Sequence, residues 1–460
     1  MKKGKIKNMF SYGIGAVGLD LSYGLFYSFL AKYLTDILHL NKKFLLFLTP
    51  VARIWDGIND PMMGTIVDNT RTKMGKYRPW ILIGSTCNAI VLSLLFTNPG
   101  FELGGLPIYI YVAFLYVAWG MTNTMADIPY WSMVPSVTTD PKERSLIATV
   151  ARSFSGIGQG IISIFTPMVL PIHRETMQNG EKVSDARGFS LWAIICALCL
   201  VGFSSISVLN TKEHHLTTPK EKFSIKKMLS IAKNNDQLLV FMLFAMLSNA
   251  GWYMVSGVGV YYFDVVVGDP GKQSAFNLFG AVGSILGLGV IPIMMKFTTR
   301  RRTYQTSLGL AIAGFFGMML SVKLASSYLL MNICYTVASI GIASMFVSQT
   351  VFLADIVDYG EYKQGFRSES ITFSMKGFLQ KMAYTIQTII LFSGLDASKY
   401  NENLHAANTP QVKGAISFMM LWAPVILLVL SLLVFTFKFK LHGEYMEKVT
   451  AEVNKMHENY

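Results

Sequence analysis

The chain has 460 residues, of which 52% are hydrophobic and only 15% charged, with a mean hydropathy of +0.42. A soluble protein would carry nearer a quarter charged residues, and apolar stretches longer than about 18 residues recur along the whole length. These features exclude a soluble enzyme or a disordered chain and predict an all-α, polytopic membrane protein. The net charge of +13 would suit nucleic acid, but the Lys and Arg residues concentrate in alternate loops and at both ends. That positive-inside pattern predicts a lipid bilayer rather than nucleic acid as partner, the cell (inner) membrane as location, and both termini in the cytoplasm. Lys42 and Lys43, on the outer side, are the exception.

Met1–Asn8 is a basic tail with four lysines. Hydropathy then predicts helix 1 over Met9–Leu34. It is too long for a signal sequence and no small-residue cleavage site follows it, so it is expected to stay as a span. Helices 2 to 6 are predicted over Phe44–Val67, Trp80–Phe96, Pro107–Val134, Leu146–Pro171 and Gly188–Leu209. Asn210–Gln237 carries six lysines and no apolar run and reads as a cytoplasmic linker. Helices 7 to 12 are predicted over Leu238–Val267, Gln273–Met295, Tyr304–Leu324, Tyr328–Val357, Glu369–Phe392 and Gly414–Phe437. The charged segment Lys438–Tyr460 reads as a tail, with no appended regulatory domain expected after helix 12. The predicted organisation is therefore a six-helix half over 1–209, a linker over 210–237, and a second six-helix half with its tail over 238–460. Cys87, Cys334 and the Cys196/Cys199 pair read as small packing residues, not as a metal centre or a disulfide framework.

Two sets of six point to an internal duplication. The basic turn Arg71, Lys73, Lys76, Arg78 after helix 2 has a counterpart in Lys296, Arg300, Arg301, Arg302 after helix 8. Ala126-Asp127-Ile128 recurs as Ala354-Asp355-Ile356. Parallel six-helix halves are the layout of major facilitator transporters, with the substrate bound near mid-membrane. The basic turns are expected to pair with helix ends and gate the inner mouth; serving only as topology signals is the alternative.

The polar residues inside the apolar segments carry the functional signal. Helix 2 holds Arg53, Asp56, Asn59 and Asp60, and one ionised side chain at the bilayer centre costs roughly 2.5–3.5 kcal/mol on insertion scales. Asp56 and Asp60 lie one turn apart on one face and repel unless a proton or cation lies between them. That is what a cation-coupling site needs; an Arg–Asp pair that only fixes helix packing is the alternative. In helix 1, Asp20 follows the glycines Gly13, Gly15 and Gly18, and its carboxylate can accept paired hydrogen bonds from adjacent sugar hydroxyls. Pairing with a cation of helix 5 is the other reading. In helix 4, Thr124, Asp127 and Trp131 share a face, an acceptor beside an aromatic plane as sugar binding requires. Arg152 in helix 5 is a lone cation, and helix 11 offers Lys376 and Lys381; Lys376 either contacts substrate or snorkels to the interface, while Lys381 can balance the carboxylates. Lys32 reads as interfacial. The deep charges, four Asp against Arg53, Arg152 and Lys381, leave an excess of one negative charge, suited to a bound monovalent cation or proton.

The stretches YGIGAVGLD, ARIWDGINDPMMGTIVDNTRTKMGKYRPWILIG, WGMTNTMADIPYWSMVP and DIVDYGEYKQGFRSESI resemble the glycoside–pentoside–hexuronide:cation symporter family, over nearly all of the chain. The resemblance implies a major facilitator fold and symport of a glycoside with Na+, Li+ or H+, no cofactor and no catalysis. It implies that Asp56 and Asp60 form the cation site with Asn59 and Thr124 as auxiliary oxygen groups. It assigns Asp20, Asp127, Trp131 and Arg152 to sugar contact, and Lys381 to the vicinity of the cation. Leu19, Asn123 and the Lys376-Gly377 pair depart from the Lys, Tyr and Gln-Thr that melibiose-carrying members have there. Losing two neutral hydrogen-bonding groups and gaining a charge leaves room for another α- or β-glycoside, a xyloside or a hexuronide.

The expected function is cation-coupled uptake of a small glycoside (di- or oligosaccharide, pentoside or hexuronide) by alternating access. The cation would sit between Asp56 and Asp60; the sugar would be held by Asp20, Asp127, Arg152, Asn123 and Lys376 and covered by Trp131. Two other readings stay open: a lipid or lysolipid symporter of the same fold, and a membrane sensor that binds sugar without moving it.

Overall fold

The computed structural model describes residues 3–138, 141–172, 176–178, 181–183, 186–213, 233–322, 327–365, 369–400 and 409–458. Among them the chain forms twelve long helices and a thirteenth at the C-terminal end. The first six are α1 (Lys3–Lys32), α2 (Lys42–Asn69), α3 (Arg78–Leu95), α4 (Leu106–Val137), α5 (Pro141–Ile172) and α6 (Ala186–Asn210). A short antiparallel pair, β1 (Thr176–Gln178) and β2 (Glu181–Val183), lies between α5 and α6 with Thr176 opposite Val183. The second six are α7 (Asp236–Tyr261), α8 (Lys272–Phe297), α9 (Arg300–Leu320), α10 (Tyr328–Gln364), α11 (Glu369–Ala397) and α12 (Pro410–Lys438, with a π turn at Phe418–Trp422). Eight of these are long and apolar enough to cross a membrane, the remainder being α2, α5, α9 and α11. In α2 the charges singled out above interrupt the apolar run.

Most of the linker predicted over 210–237 lies outside the described residues. The chain forms two compact units. One comprises 1–223 with 267–274 and 400–408; the other comprises 224–266, 275–399 and 409–460. Each is packed by the same pattern. In the first, α1 packs on α5 and α6, and α3 on α4 and α6; in the second, α7 packs on α11 and α12, and α9 on α10 and α12. Backbones touch at small residues, as membrane helices do without a hydrophobic force to join them. A methyl on Gly84 of α3 would come within 2.5 Å of the Ala126 backbone nitrogen of α4, and one on Gly341 of α10 would overlap the Ser307 carbonyl of α9.

The repeat extends to the helix ends. α1 and α7 each close in a π turn, Tyr33–Ile37 and Tyr262–Val266, carrying Asp36 and Asp264. These acids are 228 positions apart, the same offset as Asp127 and Asp355. The basic turns meet helix ends in both units. Arg78 Nε donates to the Val208 carbonyl near the end of α6 at 2.9 Å, and Arg301 Nη2 to the Thr436 carbonyl near the end of α12 at 2.8 Å. The first turn is also held by Glu213, whose carboxylate accepts the backbone N–H groups of Lys76, Tyr77 and Arg78 at 2.7, 3.0 and 2.8 Å. One carboxylate thus satisfies the free N–H groups at the start of α3.

Three sequence expectations are corrected. The tail is not featureless: Gly443–Glu458 is a helix, α13, because Val449 and Val453, four apart, make one face that is buried. α10 runs two turns past Val357, where Tyr359 and Lys363 reach Asp236 at 2.8 and 2.6 Å, and stops at Gly365 with φ +74°. Hydropathy locates apolar runs, not helix ends. Lys32 is buried and bonded to Asp36 at 2.5 Å, while Asp36 also accepts Thr35 Oγ1 at 2.7 Å and Tyr400 OH at 3.0 Å.

Removing one partner of a buried ion pair strands the other, at a cost of about 3–5 kcal/mol. Asp36→Asn should therefore lower the thermal midpoint in detergent markedly, and Lys32→Met/Asp36→Leu should recover most of the loss; equal midpoints for the single and double variants would contradict the pairing. Glu213→Ala leaves three backbone donors without their acceptor and should destabilise by about 1–3 kcal/mol, read from the same melting curve.

Candidate functional site

The polar residues of α2 meet one face of α4. Tyr116, Gly120, Thr124, Asp127 and Trp131 recur on α4 at steps of four, four, three and four, so they line a single stripe. Arg53 of α2 is 1% exposed. Its Nη1 donates to Asp56 Oδ2 at 2.6 Å and to Tyr27 OH of α1 at 2.7 Å, and its Nη2 to Tyr116 OH at 3.2 Å. The guanidinium also lies 4.9 Å from the Tyr27 ring centre and 5.7 Å from those of Phe26 and Tyr116. A cation out of water is stabilised by such a shell of hydroxyls, ring faces and one carboxylate.

Asp56 is buried, its Oδ1 against Gly120, where a methyl would fall at 2.5 Å. Only glycine on α4 leaves that oxygen room. One turn on, Asp60 accepts Thr124 Oγ1 at 2.8 Å. Asn59 is buried beside them with its Nδ2 unpartnered. The structure thus gathers Arg53, Asp56, Asn59, Asp60 and Thr124 where two helices meet. The formal charges of Arg53, Asp56 and Asp60 add to −1. Two carboxylates, an amide carbonyl and a hydroxyl are hard oxygen donors, the kind that take Na+, Li+ or a proton. Among the described residues no group of three or more His, Cys, Asp or Glu could hold a metal ion.

The second group lies further along the same α4 stripe. Trp131 Nε1 donates to Asp127 Oδ1 at 2.9 Å, fixing the indole edge, and the Arg152 guanidinium of α5 lies 3.7 Å from the ring centre. Asp20 of α1 accepts Ser155 Oγ of α5 at 2.6 Å. It makes no ion pair with Arg152, which is exposed apart from its contact with the indole. α1 and α5 come this close because Gly158 offers no side chain; a methyl there would reach the Val17 carbonyl at 2.6 Å. Below the indole, Tyr12 and Tyr130 stack with ring centres 4.5 Å apart and each hydroxyl donates to the other's carbonyl. That rigid pair seats Trp131, whose ring meets Tyr130 edge-on at 5.2 Å. A carboxylate, an indole and a free guanidinium within one cluster can bind a polyol by hydrogen bonds and cover its apolar face.

Asn123 is half-buried on α4, beside Thr124. Lys381 is half-buried on α11 of the second unit; the side chain of Lys376 lies outside the described residues. Sequence reasoning missed Tyr27 and Tyr116 around Arg53, and Ser155 on Asp20. It also missed Asn88 of α3, which accepts Ser22 Oγ at 2.6 Å and donates to the Trp119 carbonyl at 3.2 Å and Thr122 Oγ1 at 3.1 Å. Tyrosine and serine are ordinary in membrane helices, so only Asn88, an amide in an apolar run, carried a signal.

Asp355, the repeat counterpart of Asp127, is bonded to Arg300 at 2.7 Å. The second unit has neutralised this carboxylate; the first has turned it to an indole.

Residues 11–443 match the MFS/sugar transport protein family model. The chain is 27% identical to "Uncharacterized symporter YjmB" of Bacillus subtilis (strain 168), across 99% of this chain and 96% of that one. It is 29% identical to the isoprimeverose transporter of Lactiplantibacillus pentosus, across 91% of this chain and 85% of that one. Among solved structures, a bacterial homolog of the human lysosomal transporter Spinster, inward-facing and unoccupied, superimposes with a TM-score of 0.68, covering 98% of this chain and 99% of that one at 13% identity. At that identity the likeness speaks for the fold alone. With the family model spanning almost the whole chain, and with a carboxylate pair and a carboxylate–indole–guanidinium cluster built on apolar helices, this chain is a transporter and not an enzyme, and it belongs to the MFS/sugar transport protein family.

Proposed function

We propose that this protein carries a small glycoside into the cell together with one monovalent cation. The observation that supports it most is the α4 stripe. Gly120 makes room for Asp56, Thr124 donates to Asp60, and three residues later Asp127 holds Trp131. In this reading the cation takes Asp56 and Asp60 with Asn59 and Thr124, and the sugar takes Asp20, Asp127, Arg152 and Asn123 against Trp131. Arg53 holds Asp56 in place; Lys376 is proposed as a substrate contact and Lys381 as a balancing charge. One face of one helix then serves both ligands, so filling either site orders the wall of the other. The coupling free energy is reciprocal. The printed names of the relatives, a symporter and an isoprimeverose transporter, support a glycoside with a pentose ring as the first substrate to try. Twelve spans with both termini in the cytoplasm complete the proposal.

Radiolabelled glycoside uptake into energised vesicles, over a sugar panel at fixed pH, tests it. Accumulation stimulated by sodium or lithium is expected. Accumulation that ignores both ions but collapses with a protonophore would make the proton the driver, and no accumulation of any neutral glycoside or hexuronide would sink the reading. Asp60→Asn should abolish cation-stimulated binding while the protein still inserts; stimulation that survives would place the cation elsewhere. Trp131→Ala removes an aromatic platform and should raise the sugar KM about tenfold, the equivalent of about 1.4 kcal/mol, with cation binding in the absence of sugar unchanged.

A further inference from the structure

The interface between α7 and α11, within the second unit, buries polar atoms that nothing satisfies. Gln387 of α11 is 1% exposed, and neither its Nε2 nor its Oε1 has a hydrogen-bond partner. Opposite it stands Gly257 of α7, where any side chain would overlap the Gln387 amide. One turn back on both helices, Tyr253 and Tyr384 meet edge to face, their ring centres 6.2 Å apart. A turn further back on α7, Asn249 is buried with its Oδ1 unpartnered. Asn249, Tyr253 and Gly257 follow at intervals of four and share one side of α7, while Gly251 faces Pro424 and Leu428 of α12.

A buried carboxamide without a protein partner is a penalty that leucine or methionine of similar size would not carry. The Gln387 amide bonds to nothing here, so packing does not account for it; an arrangement in which it is paired does. The chemistry of the partner follows from the groups. A carboxamide offers a donor and an acceptor side by side, the match for neighbouring sugar hydroxyls, each of which both donates and accepts. A cation has no use for the N–H donor, and an anion would call for a positive charge. Tyrosine rings beside the amides suit the apolar face of a sugar ring. Asn249 and Gly257 are eight residues apart, about 12 Å along a helix, longer than one sugar ring.

We propose that this seam is a hydroxyl-binding subsite for a di- or oligosaccharide. Gln387 bridges two adjacent hydroxyls of one ring, Asn249 Oδ1 accepts from another, and Tyr253 and Tyr384 flank them. The bare backbone at Gly257 closes the seam in the present conformation and lets it part. Along α11, Gln387 falls on the same face as position 376, at i+11. The inference rests on the glycoside reading above, so wild-type counterflow in proteoliposomes comes first. If no labelled glycoside exchanges, that reading falls and takes the occupant of the seam with it.

Where wild type exchanges, Gln387→Leu should raise the disaccharide KM about tenfold or more with Vmax nearly kept. Cation binding in the absence of sugar should not move, and the thermal midpoint should not fall, since no bond is lost in the resting structure. Gln387→Asn, which keeps the amide, should regain part of the affinity. A wild-type KM for Gln387→Leu across the whole sugar panel would overturn the proposal. Should Gln387→Leu fail to insert, Gln387→Cys in a background lacking the four native cysteines decides the matter. Disaccharide should slow its modification by N-ethylmaleimide; protection by none of the sugars would overturn the subsite.

Discussion

The first unit is organised around a charge that has no water. Arg53 lies among α1, α2 and α4, and a guanidinium there must find its neutralisation and its hydrogen bonds within the protein. Asp56, Tyr27 and Tyr116 supply them, and in doing so fix the register of three helices. The pair also sets what the rest of the site can hold. With Asp56 answering Arg53, the negative charge that remains formally belongs to Asp60, one turn on and bonded to Thr124. A formal charge of −1 with hard oxygen donors is what the proposed single small cation would require, by charge as much as by geometry.

α4 turns two such clusters into one device. Its stripe from Tyr116 to Trp131 touches the guanidinium, both carboxylates of α2 and the indole in succession. Packed helices shift between discrete positions and do not deform smoothly, so a small turn of α4 is felt at Asp60 and at Trp131 together. In the proposed function, that is the physical content of coupling: two ligands biasing one rigid element.

The duplicated architecture has been put to unequal use. Both units repeat the same helix pairs, the same π turn with its acid, and the same Ala-Asp-Ile segment. In the first, Asp127 holds an indole; in the second, Asp355 is locked by Arg300. In the second unit, Gln387 and Asn249 keep polar atoms without a protein partner between α7 and α11. A buried group without a partner is costly enough that its retention calls for an account, and a second state of a moving protein supplies one.

Sequence alone determined the class and most of the cast. Apolar runs of membrane length can only be helices, because the backbone must satisfy its own hydrogen bonds in lipid, and charged residues within them stand out for the same reason. Asp20, Arg53, Asp56, Asp60, Asp127 and Arg152 were legible on that ground, and Thr124 and Trp131 by helical spacing from Asp127. Tertiary structure decided who partners whom. The Arg–Asp pair was one of the two readings of helix 2, but nothing in the order of residues says that Arg53 also takes two tyrosine hydroxyls, or that Asp20 takes Ser155 and leaves Arg152 to the indole. Nor does it say that Lys32 is buried against Asp36, or that an exposed-looking tail folds on Val449 and Val453. The contacts between helices follow from which neighbours come close at Gly84, Gly120 and Gly158, a property of helix pairs that no single helix contains.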